Sequence, residues 1–207
     1  MKILASIFFL LFFCIIHVFS QINKEDVYEQ LIKKYGNIND ISLKFKSPDL
    51  NLSGYLNAKS GNKYRIVFPD RQLISNGKTI WNFVPKDSKV IISSLDDLNK
   101  EHASIENIFF GFINNYSPTD IIKEQSSKTG SGYILTLQQK AMASSLAKIK
   151  SLKLWIDTKA FTIKQIQIET DIDTQKWEIE KLIVNSNIKD SQFDFDVPKD
   201  VEVIDLR

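Results

Sequence analysis

The chain has 207 residues, 43% of them hydrophobic, with 27 Lys and Arg against 25 Asp and Glu. A formal balance of +2 argues against a nucleic-acid binder, which needs a concentrated basic stripe. The composition is neither polar enough for disorder nor apolar enough for a membrane bundle, and the length suits one domain with a single core.

At the amino terminus, Lys2 precedes an apolar run over residues 3–19 that ends in Val18-Phe19-Ser20. A basic start, an apolar middle and a small residue at the end are the pattern of an export signal, with cleavage expected after Ser20 and a domain over residues 21–207. A retained anchor is the competing reading, but the run is shorter than the roughly 20 residues a spanning helix needs. Cys14 lies inside the run behind Phe12 and Phe13, a poor context for lipid attachment. With the leader removed no cysteine is left, so an exported domain must rest on its core rather than on disulfides. A bacterial periplasm or cell surface is the expected location.

Asn23 precedes Val27, Tyr28, Leu31, Ile32 and Tyr35, a helical spacing stopped by Gly36. Then the period changes to two. Ile41, Leu43 and Phe45 alternate with polar residues, as do Leu50, Leu52 and Leu56, and Tyr64, Ile66 and Phe68. Ser75-Asn76-Gly77-Lys78 is a hairpin signal, because Asn and Gly tolerate positive φ. A strand over 90–92 follows. Residues 104–113 read as a short helix, capped by Ser104 and apolar over most of its surface. Strand patterns resume at 133–137, 152–156, 161–168, 177–183 and 193–197, while 138–150 is ambiguous between strand and helix. About nine short strands at this spacing predict an antiparallel sheet curled into a barrel or an open half-barrel.

Chemistry is harder to find. Serine catalysis needs a histidine base, and beyond the leader the only histidine is His102, which reads as a solvated loop residue. Zinc needs several His or Cys ligands, and no glycine-rich phosphate loop is present. Asp194, Asp196 and Asp200 lack the glycine of a calcium loop, and their alternation with Phe193, Phe195 and Val197 reads as a strand with one wet face. Asp171 and Asp173 are turn residues by composition. The lysines over 148–153 belong to an amphipathic strand rather than to a nucleic-acid site. The expectation is therefore no enzyme, no cofactor and no metal.

What stands out is apolar: Phe109, Phe110 and Phe112 in one short helix, and Tyr64, Ile66, Phe68, Trp81 and Phe83 in successive strands. One reading is an ordinary packed core. The other is a curled sheet whose inner face leaves an apolar cavity under a helical lid.

The segment Leu73-Ile74-Ser75-Asn76-Gly77-Lys78-Thr79-Ile80-Trp81 resembles the Ser-Asp-Gly-Lys-Thr-hydrophobic-Trp hairpin of the periplasmic outer-membrane lipoprotein carriers, the LolA family. The end, Phe193-Asp194-Phe195-Asp196-Val197-Pro198-Lys199-Asp200-Val201-Glu202-Val203, is similar to that family's closing Phe-x-Phe-x-x-Pro-x-Gly-Val-x-Val. Gly54-Tyr55-Leu56 and Lys63-Tyr64-Arg65 add to the likeness. It implies a mainly β fold with α, an unclosed antiparallel half-barrel with a helical lid over an apolar cavity. It also implies a monomeric periplasmic carrier, which takes acylated lipoproteins from an ATP-driven extraction complex in the inner membrane to an outer-membrane acceptor. A carrier or sensor for another lipid (glycolipid, pigment or fatty acid) on the same scaffold is the alternative. By this resemblance Tyr64, Ile66, Phe68, Trp81 and Phe83 are the cavity residues, and Ile105, Ile108, Phe109 and Phe112 the lid. Ser60-Gly61 stands where some members have an Arg-Pro latch, so the latch does not carry over, and Arg65 is the neighbouring candidate. Asp200 replaces the usual tail glycine.

Overall fold

A computed structural model describes residues 22–95, 110–111, 115–126, 130–140 and 149–207. The expected leader, His102 and the four lid residues Ile105, Ile108, Phe109 and Phe112 lie outside the described residues.

The opening helix α1 runs over Lys24–Tyr35. Its start is fixed by the Asn23 side chain, which accepts from the Glu25 amide at 3.1 Å, and its end by the Gly36 amide donating to the Ile32 carbonyl at 2.7 Å. Glu25 and Asp26 at the first turn, with Lys33 and Lys34 at the last, suit the helix dipole. Val27, Tyr28, Leu31 and Tyr35 form its buried face. Each such side chain contributes about 1.5–3 kcal/mol on leaving water.

Twelve strands follow among the described residues: β1 (Asp40–Ser47), β2 (Leu52–Lys59), β3 (Lys63–Val67), β4 (Gln72–Asn76), β5 (Thr79–Val84), β6 (Lys89–Ser94), β7 (Tyr116–Ser126), β8 (Gly130–Gln139), β9 (Ile149–Asp157), β10 (Ile163–Thr170), β11 (Thr174–Val184) and β12 (Glu202–Asp205). They make one sheet in the order β12-β6-β5-β4-β3-β2-β1-β11-β10-β9-β8-β7. The two ends of that order are not paired, so the half-barrel is unclosed, as the sequence led one to expect. Two antiparallel meanders, β1–β6 and β7–β11, meet where β11 pairs with β1, and β12 joins β6 in parallel.

Alternation decides which residues share the inner face. Paired residues point the same way, so Leu43, Leu56, Ile66, Leu73 and Asn82 form one inward row across β1 to β5. On β11 the apolar period slips between Ile179 and Leu182. A bulge there sets Lys44 opposite Lys181 and Phe45 opposite Ile179, skipping Glu180. Both apolar runs of β11 thereby stay inside. Glu180 is left outside, 2.7 Å from the Lys44 ammonium.

At one end of the sheet α1 covers the inner face. Its buried residues pack with Tyr116, Leu135, Leu137, Leu152 and Leu154, and the Tyr28 hydroxyl donates to the Tyr116 carbonyl at 2.9 Å. Near the meander junction, buried Asp40 accepts from the Ser186 amide and hydroxyl and from the Asn187 and Ile188 amides. Burial pushes that carboxyl up, but the four bonds outweigh it and hold Asp40 below its ordinary range.

Three elements differ from the sequence reading. Strand β7 was hidden because Pro118 and a bulge between Pro118 and Asp120 interrupt its alternation. Residues 138–139 of the ambiguous stretch end strand β8, and 149–150 open β9. Residues 193–197 are not a strand. Asp190–Phe193 is a 3-10 turn with Phe193 wholly buried, and the strand of the tail comes later, at Glu202–Asp205. Alternating Phe and Asp here place aromatic rings onto the sheet's outer face rather than into a ladder.

Candidate functional site

The hairpin behaves as its residues require. The Asn76 side-chain oxygen accepts from the Lys78 and Thr79 amides at 3.1 and 3.0 Å. Gly77 has φ +90°, and a Cβ there would lie 2.5 Å from the Gly61 carbonyl oxygen. This turn sets the register of β4 on β5, which pairs Leu73 with Asn82 and Ile74 with Trp81.

The register divides the expected cavity residues. Tyr64, Ile66 and Phe68 pack on a cluster formed by Ile41, Leu43, Phe45, Leu56 and Ala58. Beneath them lies an open hollow of about 250 Å³. On one side its wall is Leu43, Phe45, Leu56, Ile66 and Phe68, and on the other Ile166, Ile168, Gln175, Trp177 and Ile179. Phe68 and Ile168 are four strand spacings apart, about 19 Å on a flat sheet, so their sharing one hollow requires the sheet to curl. Phe45 sits at the centre. Its ring meets Phe68 edge-on at 5.9 Å and Trp177 edge-on at 5.4 Å. A separate, narrow cavity of about 30 Å³ lies beside Tyr35 of α1 and shares Ile166 and Ile179 with the wall of the hollow.

Burial pushes the Tyr64 phenol up to about 12, so it stays neutral at any physiological pH. Gln175 is the one polar residue in the hollow's wall among the described residues. The inner face also carries two buried oxygens without a partner among the described residues, Ser47 Oγ and Asn82 Oδ1. No group of three or more His, Cys, Asp or Glu among the described residues is placed to hold a metal. No helix among them is long and apolar enough to cross a membrane.

Trp81 and Phe83 are a correction. They alternate onto the outer face, where their rings pack on Phe195 at 6.4 and 5.3 Å. The outer face of β5 is covered by the chain's own tail, so the apolar pattern of β5 does not mark which side is the cavity. Arg65 is a second correction. It points outward, donating to the Gln192 and Asp194 carbonyls at 2.8 and 2.9 Å and to the Gln72 side chain at 3.2 Å. It ties down the tail and is not placed as an inward latch. Lys59 and Lys63 help, at 2.6 and 2.7 Å from Asp190.

Leu43, Phe45, Trp177 and Ile179 are wall residues that sequence reasoning did not single out. Their alternation was readable, but the pairing of β1 with β11, 130 or more residues away in the chain, left no local signal. Of the expected lid segment, Phe110 is described, and it packs on the cluster around Phe45 and Leu43.

No family model matches the chain, and no curated protein matches it. Solved structures do. An uncharacterized conserved protein from Thermus thermophilus is 10% identical with a TM-score of 0.52, over 87% of this chain and 98% of that one. A putative outer membrane lipoprotein-sorting protein domain from Vibrio parahaemolyticus is 9% identical with a TM-score of 0.45, over 83% and 97%. A LolA superfamily protein from Nitrosomonas europaea is 11% identical with a TM-score of 0.38, over 84% and 99%. The first of these likenesses shows that the fold is shared with a protein of nearly the same extent.

Proposed function

We propose that the chain is an extracytoplasmic carrier that shields the acyl chains of lipoproteins on their way from the inner to the outer membrane, making and breaking no bond. The observation that carries this reading is the open hollow walled by both meanders and, among the described residues, almost free of polar groups. The sequence resemblance in hairpin and tail points the same way.

Magnitudes support it. A sixteen-carbon chain moved from water into an apolar site gains roughly 12 kcal/mol, so lipoproteins do not cross water unaided. An apolar cavity of about 150 Å³ holds a benzene ring, and by that scale the hollow shelters about ten carbons of one chain. The remainder would need the segment bearing Ile105, Ile108, Phe109 and Phe112, which we place as the lid. A partly filled, weakly directional site suits a carrier that must also let go. On this reading an ATP-driven complex supplies the cargo and an outer-membrane acceptor removes it.

The test is Ile66→Asp, which sets a charge into the wall. Retention of an acylated lipoprotein in a periplasmic release assay should fall at least severalfold, with the circular dichroism spectrum of the sheet retained. Unaltered retention in a folded variant counts against the hollow as the cargo site.

A further inference from the structure

Among the described residues the hollow's wall carries no charged side chain, but the ring of Phe68 in that wall has an arginine against it. Phe68, one of the wall residues, is followed by the turn Pro69-Asp70-Arg71 between β3 and β4, closed by the Phe68 amide donating to the Arg71 carbonyl at 2.9 Å. This turn folds the Arg71 guanidinium back to 5.4 Å from the centre of the Phe68 ring. The same ring also meets Phe45, at the middle of the hollow.

The chain has three arginines. Arg65 is committed to the tail carbonyls, and Arg207 to both oxygens of Asp205. Arg71 is half-buried and, among the described residues, makes neither an ion pair nor a side-chain hydrogen bond, while the adjacent Asp70 is exposed and unpaired with it. A planar guanidinium offers a fork of N–H donors that matches a carboxylate or a phosphate in two-pronged fashion. Held against an aromatic ring, it also loses less freedom on pairing than a free side chain would.

Resting on the reading of the hollow as an acyl-chain site, we infer that Arg71 lets it take a second class of ligand besides lipoproteins, amphiphiles whose acyl chain ends in a single oxyanion, a carboxylate or a phosphate. The chain enters past Phe68 and Phe45 towards Leu43, and the oxyanion stays at the rim on Arg71. Placing the charge at the mouth avoids the cost of bringing it into an uncharged wall.

Titration of the full chain with dodecanoate, dodecyl phosphate and dodecanol tests this, with inorganic phosphate as the chainless arm. The two anions should bind about tenfold more tightly than dodecanol, the scale of a charge-assisted hydrogen bond. In Arg71→Gln both should fall to dodecanol's affinity in that same variant, and Arg71→Lys should recover part of the preference. Equal binding of all three by the native chain, or a preference that survives Arg71→Gln, overturns the assignment. So does inorganic phosphate binding as well as dodecyl phosphate, which would make the site one for free anions. If dodecanol binds without any preference for the anions, only the headgroup assignment fails. If none of the three binds, the reading of the hollow as an acyl-chain site fails with it.

Discussion

Gly54 faces Phe45 across the β1–β2 pair so closely that a Cβ on Gly54 would lie 2.9 Å from the tip of the Phe45 ring and 2.6 Å from the Val67 carbonyl oxygen. The ring at the centre of the hollow lies where it does because this position of β2 has no side chain. Gly54→Ala should therefore destabilise the fold by about 1–3 kcal/mol, the usual cost of overpacking. The check is the urea midpoint, which should drop. An unchanged midpoint would mean that Phe45 moves aside freely.

The chain has three tryptophans. Trp177 lines the hollow, Trp81 packs on the tail outside, and Trp155 lies under the Lys176 ammonium at 5.3 Å. An acyl chain entering the hollow displaces water from Trp177 alone. Emission should shift to the blue on addition of a long-chain fatty acid, and Trp177→Phe should abolish the shift. A shift that persists in that variant would place the ligand elsewhere.

Replacing Arg65 with Gln removes the donors to the Gln192 and Asp194 carbonyls. We expect a loss of about 1–3 kcal/mol, the range for hydrogen bonds to charged groups. Amide exchange should rise first over residues 188–201 and the outer face of β5, while β1 and β11 stay protected. Uniform loss of protection would argue against a separate strap.

Asp190 is held at about 2 by hydrogen bonds from Lys59 and Lys63. A carboxyl with a folded pKa below its ordinary 3.8 contributes stability that is fully present above that value and is lost as pH falls through about 2. Between about pH 4 and pH 2 the tail's attachment to β2 and β3 should weaken. Asp190→Asn should flatten that part of the acid-stability profile, and an unchanged profile would contradict the arrangement.

Much of this was readable from one sequence, and the failures have physical causes. Helix α1 announced itself through Asn23, its apolar spacing and Gly36. The β4–β5 turn did so through Asn76-Gly77. Inward residues on β1 and β3 were legible because their outer neighbours, such as Lys44 and Arg65, are polar. On β5 that contrast vanishes, since Ile80 inside and Trp81 outside are both apolar, and only the register separates them. The tail's Phe193 and Phe195 imitate a strand for a related reason, as both are held against the sheet, Phe195 on that same outer face and Phe193 in the turn beside β3 and β4. Pairing of β1 with β11 is long-range and leaves no local mark, so half of the hollow's wall could not be assigned.

The strand order interlocks the two meanders. The first contributes β1 and β6, and the second half of the chain grips them with β11 and with the tail strand β12, while α1 from the first half lies on β7 and β8 of the second. A polypeptide nicked between β6 and β7 would thus be two fragments clasped at three interfaces, neither able to bury its inner face without the other.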